Sequence, residues 1–487
     1  MDKSSEDKHK KYYLSYKKRD FYWGIGIENE TYLEIPTHEM VKGSFFSKHK
    51  PERYSVNYYN TYNQKFFLRI IEDCFEKDHD YELPLLMNSH ELIKNDLSGQ
   101  PMNNYDKGAT PNKKFSGQTI FDYMKEQNIY FKDEYNKSFC FDGDTIEFMT
   151  QKFYKTTIQD TINELIYHKK QFLNNINELN LPIANGNLFK YPKKNHGFAR
   201  FTTNKNNLAI FNNSTYHFNF TLPTELDESG NLKNKIDFIK RHQKAIQIIQ
   251  AFEPLFIAKY GTPDILCSLR KSSKRFPNGS QRVAASRYIS AGTYESTKMK
   301  TGKLLQEERN ILEKKWPHYF WYNRLYNQIN YVKNDNIGFD INFNKFKNHG
   351  IELRFFDWFP EEHLEEALTF CVYLLDLSES TKKTEPVQQN QAWNSLMYHA
   401  ILEGKDYVLT KEELSVLKKD YKLKVIIKNR NIISVYDTIL DHFKKHFKYE
   451  GPCSKYMLEK PTICNECCSS TFKKIINRLF CTCICSV

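Results

Sequence analysis

The sequence predicts an α+β protein whose sheet has an apolar back and a polar front. Two observations predict it. Four separated segments alternate apolar residues with carboxylate, imidazole, amide or guanidinium side chains at the two-residue period of a strand. Between and after them lie stretches whose apolar residues recur at helical spacing. Of the 487 residues, 40% are hydrophobic and 15% aromatic, which excludes a mainly disordered chain and leaves material for a large core and more than one domain.

Taken in order, residues 1–20 read as a charged arm, and a strand follows at Tyr22–Glu34. Pro36–Lys137 is turn-rich and reads as insertions around a few strands and helices. A second strand is expected at Asp144–Thr150, then a helix from Thr157 to Leu179 that ends before Pro182. A third strand covers Thr215–Leu222. The long helix Lys235–Lys259 carries a stripe of Ile236, Ile239, Ile246, Ile249 and Phe252, and Pro254 is expected to kink it or start a second short helix. After a basic loop (Arg270–Gly302) come a helix near Lys303–Lys315, strands near Ile337–Asn344 and Ile351–Asp357, and an amphipathic helix at Glu361–Leu377. Ser378–Asn390 reads as a linker to helices near Trp393–Leu402, Lys411–Tyr421 and Ser434–Lys445. The expected partition is an arm (1–20), a main domain (21–380), a helical C-terminal region (381–450) and a Cys-rich tail (451–487).

The balance of 71 Lys+Arg against 59 Asp+Glu gives +12, which favours anionic partners without choosing among nucleotide, nucleic acid and membrane surface. The basic residues are scattered, so most of them read as solvated surface. No apolar run approaches the roughly 20 residues of a membrane span, and the first residues lack the apolar core of a secretory signal. The expectation is a soluble, cytoplasmic protein. Cys74, Cys140, Cys267 and Cys371 are spaced like reduced core thiols, whereas Cys453, Cys464, Cys467, Cys468, Cys481, Cys483 and Cys485 crowd the last stretch.

The first strand carries the most chemistry. It puts Trp23, Ile25 and Ile27 on one face and Gly24, Gly26, Glu28 and Glu30 on the other. Two carboxylates beside two residues without side chains make an open acidic floor, and their mutual repulsion calls for a cation. A solvated Glu-x-Glu pair is the ordinary alternative. The other strands favour a site. Thr215, His217, Asn219 and Thr221 share a face opposite Tyr216, Phe218 and Phe220; Glu352 and Arg354 alternate with Ile351, Leu353 and Phe355; Glu147 opposes Ile146 and Phe148. Carboxylates at this density suit Mg2+ rather than structural zinc, and His217, softer than Mg2+ prefers, is alternatively a phosphate or substrate contact. The alternative for Glu352 and Arg354 is a cross-strand ion pair.

A Glu-x-Glu on an early strand, a further strand Glu, a His-x-(His/Asn) strand, a downstream Arg and a late Glu-x-Arg strand, in that order, resemble glutamine synthetase and the glutamate–cysteine ligases. Gly26-Ile27-Glu28-Asn29-Glu30 looks like the G-x-E-x-E opening of the ligases and of the amidoligases grouped with them. Asp142-Gly143 followed by Glu147 resembles their D-G…E strand, and Ser286-Arg287-Tyr288 falls where a phosphate-binding arginine would stand. The match runs from about Gly24 to Asp357. It implies a curved antiparallel sheet backed by helices, with metal ligands from Glu28, Glu30, Glu147, Glu352 and His217. Arg287 and Arg354, with Arg282, would grip phosphates, and Asn219 would line the nucleotide site. The implied cofactors are ATP and Mg2+ or Mn2+. The implied reaction joins a small-molecule or peptide carboxylate to an amine through an acyl phosphate. Two positions depart from the pattern: Asn219 stands where several relatives carry a second His, and Glu147 is the one evident carboxylate of the second acidic strand. These leave a different pocket and a lower metal count as alternatives.

In the tail, Cys464-x-x-Cys467-Cys468 and Cys481-x-Cys483-x-Cys485 flank the basic amphipathic stretch TFKKIINRLF. Reversible acylation with peripheral membrane attachment, zinc binding, and a tail with no role are the three readings. The rivals to a ligase are a guanidino-kinase-like phosphotransferase and a basic nucleic-acid- or virion-associated binding protein with an inactive sheet.

Overall fold

Strand alternation becomes a sheet only when the polar faces pair in register, and here they do. The computed structural model describes residues 21–36, 40–44, 51–52, 78–99, 118–143, 145–151, 157–195, 198–202, 204–210, 214–227, 231–263, 278–280, 282–283, 340–343, 350–382, 384–387, 390–418, 421, 423–446 and 451–458. The arm at 1–20, the helix at Lys303–Lys315 and the two terminal cysteine clusters lie outside the described residues.

The strands are β1 (Phe21–Thr31), β2 (Leu33–Ile35), β3 (Met40–Lys42), β4 (Pro51–Glu52), β5 (Asp80–Glu82), β6 (Leu85–Met87), β7 (Phe139–Asp142), β8 (Thr145–Met149), β9 (Phe198–Phe201), β10 (Asn204–Ile210), β11 (Thr215–Glu225), β12 (Ile341–Phe343) and β13 (Ile351–Asp357). The helices are α1 (Ser89–Lys94), α2 (Ile120–Gln127), α3 (Ile129–Glu134), α4 (Ile158–Glu178), α5 (Lys235–Tyr260), α6 (Leu364–Ser380), α7 (Gln391–Leu402), α8 (Lys411–Lys418), α9 (Ile432–His446) and α10 (Pro452–Met457). The protein is mixed α+β. Its main sheet has the order β12-β13-β11-β1-β8-β7, and every pairing in it is antiparallel. A second, five-stranded sheet (β2-β6-β9-β10-β4) mixes parallel and antiparallel pairs.

The back of the main sheet is the core. Ile25, Ile27, Ile146, Phe148, Phe218 and Leu353 are buried there, with α4 packed on β1 and α5 on β13. Between Tyr216 and Phe218 the pairing of β11 with β13 slips by one residue, placing an extra residue on β13. Such a bulge bends its strand, and here it lets the consecutive Phe355 and Phe356 both be buried instead of alternating out of the core.

Helix α5 departs from the sequence expectation at both ends. Ile236, assigned to the apolar stripe, is exposed, while from Ala245 onward nearly every side chain is buried, because α6, α7 and α9 all pack on this helix. Nor does Pro254 start a second helix; α5 continues to Tyr260. A proline cannot donate to the carbonyl four residues before it, here Gln250. The indole N–H of Trp393, on α7, donates to that carbonyl at 3.0 Å. The C-terminal helices are thus docked where the central helix lacks a donor. Trp393→Phe is expected to cost about 1–3 kcal/mol by leaving a buried carbonyl unsatisfied, over and above any change in packing. Adding Pro254→Ala, which restores the N–H, should recover most of this in a double-mutant cycle read by urea unfolding. Equal effects of Trp393→Phe in both backgrounds would exclude the compensation.

The linker assigned from Ser378 starts three residues too early, since α6 runs through Ser380. Cys453, grouped in the sequence with the tail cysteines, is buried in α10, where the N–H groups of Cys453 and Ser454 donate to the buried Asp376 carboxylate at 2.7 and 3.0 Å. No helix among the described residues is long and apolar enough to cross a membrane.

Candidate metal centre

Register decides which polar residues meet. Glu28 of β1 pairs with His217 of β11, Gly26 with Asn219, and Glu30 with both Thr215 of β11 and Glu147 of β8. Asn219 in turn pairs with Glu352 of β13, and Glu352 with Asn342 of β12. Residues directly opposite on adjacent strands share a face. Five strands therefore contribute to one polar front, and eight of the nine residues singled out in the sequence gather on or beside it. The ninth, Arg287, lies outside the described residues.

At the centre is His217, only 2% exposed. Its Nδ1 is 3.2 Å from Glu28 Oε2 and 3.7 Å from Glu352 Oε1, and its Nε2 is 3.6 Å from Glu30 Oε1. Glu28, His217 and Glu352 offer ligand atoms that all lie within 4.8 Å of one another. Asn219 Nδ2 donates to Glu28 Oε1 at 3.4 Å. Glu352, almost fully buried, accepts from Asn342 Nδ2 at 2.7 Å and from Arg354 Nη1 at 3.0 Å. The ion pair of Glu352 with Arg354 thus forms within β13 rather than across strands, and it uses the same carboxylate that faces His217. On the far side, Glu147 Oε2 accepts from the Cys140 thiol at 3.2 Å.

The second arginine comes from outside the sheet. Asn278 and Gly279 N–H groups donate to the carbonyls of Leu402 and Ile401 at the end of α7, both at 2.9 Å. A Cβ on Gly279 would lie 1.9 Å from the Ala400 carbonyl oxygen, so this contact requires glycine. Ser280 Oγ then donates to the buried Asp357 carboxylate at 2.7 Å and accepts from Val283 N–H at 3.1 Å. So anchored, the chain aims Arg282 at the floor: its Nε donates to the Arg354 carbonyl at 2.8 Å and its Nη2 lies 3.2 Å from His217 Nε2. A guanidinium only donates. Nε2 is therefore the acceptor, and the imidazole proton sits on Nδ1, facing Glu28.

Charge is unevenly matched here. Burial, then Asp142, raises the Glu30 carboxyl from an ordinary 4.5 to about 7; Glu28 adds to the rise, while Arg282 and Arg354 oppose it. For Arg354, burial works against the charged form, but Glu352, Glu30 and Glu28 outweigh it and hold the guanidinium more firmly protonated. Its Nε is buried with no hydrogen-bond partner among the described residues. A floor of carboxylate oxygens with one imidazole nitrogen fits a hard divalent cation, Mg2+ or the more nitrogen-tolerant Mn2+.

Sequence reasoning missed three contributors. Asn342 sits between Ile341 and Phe343, the same alternation that marked the other strands, so the signal was present. Asp142 was read only as part of a D-G…E strand, without a role of its own, yet its charge acts on Glu30. Cys140 was read as a core thiol, and only its pairing with Glu147 places it at the edge of the floor.

No family model matches the chain. Over 469 residues it is 39% identical to "Uncharacterized protein R704" of Acanthamoeba polyphaga mimivirus, a match covering 94% of this chain and 81% of that protein.

Proposed function

We propose that this chain, which belongs to the family of mimivirus protein R704, is an ATP- and Mg2+-dependent carboxylate–amine ligase of the glutamine synthetase-like amidoligase class. The observation that carries the reading is the meeting of Glu28, His217 and Glu352 at ligating distance on the front of an all-antiparallel sheet, with Glu30, Glu147 and two arginines beside them. Separated by as many as 324 positions in the chain, from Glu28 to Glu352, these residues converge in the order that the resemblance to glutamine synthetase and glutamate–cysteine ligase implies.

Glu28, Glu352 and His217 would hold the cation, with Glu30 and Glu147 next in reach. When bound, Mg2+ supplies positive charge that shields a phosphoryl group and an incoming carboxylate from each other. The chain's own part is electrostatic. Arg354, with a buried Nε that no described residue engages, and Arg282 present donors where negative charge develops on transferred phosphate. The reaction moves the γ-phosphoryl group of ATP to a carboxylate oxygen, releasing ADP. An amine nitrogen then attacks the acyl carbon, phosphate leaves, and the amine gives up one proton.

Mg2+ with ATP is expected to stabilise the wild-type chain by about 2.7 kcal/mol at ligand a hundredfold above its dissociation constant, in a thermal-shift titration. Glu352→Gln should abolish the Mg2+-dependent part and lower amide formation by at least about a hundredfold, read by mass spectrometry. No Mg2+-dependent shift in folded wild type would overturn the ligase reading. A phosphorylated product without an amide would replace it by a phosphotransferase.

A further inference from the structure

The two nitrogens of His217 face different partners, and Nδ1 cannot ligate a cation while Nε2 accepts from Arg282. On the Nδ1 side stand Glu28 Oε2 and Glu352 Oε1, the oxygens that complete the cation triad. On the Nε2 side stands Arg282 Nη2, at 3.2 Å. To accept from Arg282, Nε2 must carry a lone pair, which leaves the proton on Nδ1. An Nδ1 that carries a proton cannot ligate a metal. Conversely, a cation on Nδ1 requires the proton on Nε2, and Nε2–H then faces a guanidinium N–H, donor against donor.

We propose that Arg282 and a divalent cation compete for His217, so that an anion which draws Arg282 away delivers the histidine to the metal. This rests on the reading of Glu28, His217 and Glu352 as the cation site. The exchange balances without net proton uptake: Nδ1 releases its proton to solvent as the cation binds, and Nε2 takes one from solvent. Glu30 Oε1, 3.6 Å from Nε2, is placed to accept the new N–H. Orientation of a metal-bound histidine by a carboxylate on its other nitrogen is a general arrangement.

Three observations make Arg282 a built competitor rather than a passing surface side chain. Its Nε is fixed on the Arg354 carbonyl of the same sheet. The chain before it is pinned by Ser280 on Asp357 and by Gly279 against α7. Its guanidinium charge lowers the pKa of Glu30, so it already partly neutralises the floor that a cation would neutralise. A phosphate-bearing ligand offers Arg282 a stronger, charge-assisted partner than a neutral imidazole nitrogen. Cation and phosphate ligand should therefore bind cooperatively, and linkage makes that coupling reciprocal.

The test is a Mn2+ titration of the full chain by electron paramagnetic resonance, with and without inorganic tripolyphosphate. In wild type, tripolyphosphate should tighten Mn2+ binding by about tenfold after correction for Mn2+ held by free tripolyphosphate, a coupling of ordinary allosteric size. Arg282→Ala should bind Mn2+ tightly without tripolyphosphate and lose the coupling. Arg282→Lys keeps the charge but cannot span both the Arg354 carbonyl and His217; it should behave like Arg282→Ala, and wild-type behaviour from it would overturn the hydrogen-bond competition. Mn2+ affinity unchanged or weakened in both variants, with circular dichroism melts showing them folded, overturns the proposal. Absence of Mn2+ binding in wild type and variants alike, or binding unaffected by Glu352→Gln, instead overturns the cation site on which it rests.

Discussion

Arg354→Ala is expected to destabilise the chain by about 3–5 kcal/mol, the cost of leaving a buried carboxylate without its counter-ion. Glu352 is 1% exposed, and the Arg354 guanidinium lies 3.0 Å from its Oε1. Asn342 would remain, but an amide donor does not offset a full charge in a site that excludes water. Arg354 also lowers the pKa of Glu30, so its loss strengthens the repulsion across the whole floor. Two companions separate this account from a simple loss of packing. Glu352→Gln combined with Arg354→Ala should recover most of the stability, because no buried charge is then stranded. Saturating Mn2+ should recover part of it in Arg354→Ala alone, by taking over as counter-ion. Urea unfolding reads all three, and a single-variant loss below about 1 kcal/mol would mean that Glu352 is not carrying a buried charge.

The front of the main sheet was legible because strand period is a local property. Glu28 and Glu30 share a face whatever strand lies beside them, and so do His217 with Asn219 and Glu352 with Arg354. Which strands would lie together was not local. Glu28 meets His217 only because β11 pairs with β1 in that register, and a shift of one residue would have turned His217 into the core. The bulge on β13 was invisible for the same reason, since it exists only relative to β11. The second sheet went unread in part because β2 and β6 are three residues each, too short for alternation to stand out from irregular chain. Helix α5 was misread at Ile236 because a one-sided stripe describes a helix at a surface, whereas this one becomes central along its length. Trp393 filling the donor gap left by Pro254 could not be read at all, since its bond to the Gln250 carbonyl joins residues 143 positions apart.

Stability should also fall as pH rises through the Glu30 window. An unfolded glutamate loses its proton near 4.5, whereas in the fold Glu30 holds it to about 7. Between those values the folded chain binds a proton that the unfolded chain does not. The favourable contribution is complete below 4.5 and lost as pH passes 7, by about 3 kcal/mol at most. Burial, the first cause of the shift, would act on any carboxyl here; Asp142 and Glu28 add repulsion that a cation can cancel. Glu30→Gln should therefore flatten the slope and leave the variant more stable than wild type at pH 8. Mg2+ should flatten it in wild type by the other route, since a cation on the floor favours the ionised form. Melting curves from pH 5 to 8, with and without Mg2+, read both. A wild-type slope that survives Glu30→Gln would assign the titration to another group. A slope removed by Glu30→Gln yet indifferent to Mg2+ would keep the buried carboxyl but separate it from the cation site. The group that weakens the empty protein at neutral pH is, on this account, the same one that gives the site its attraction for a cation.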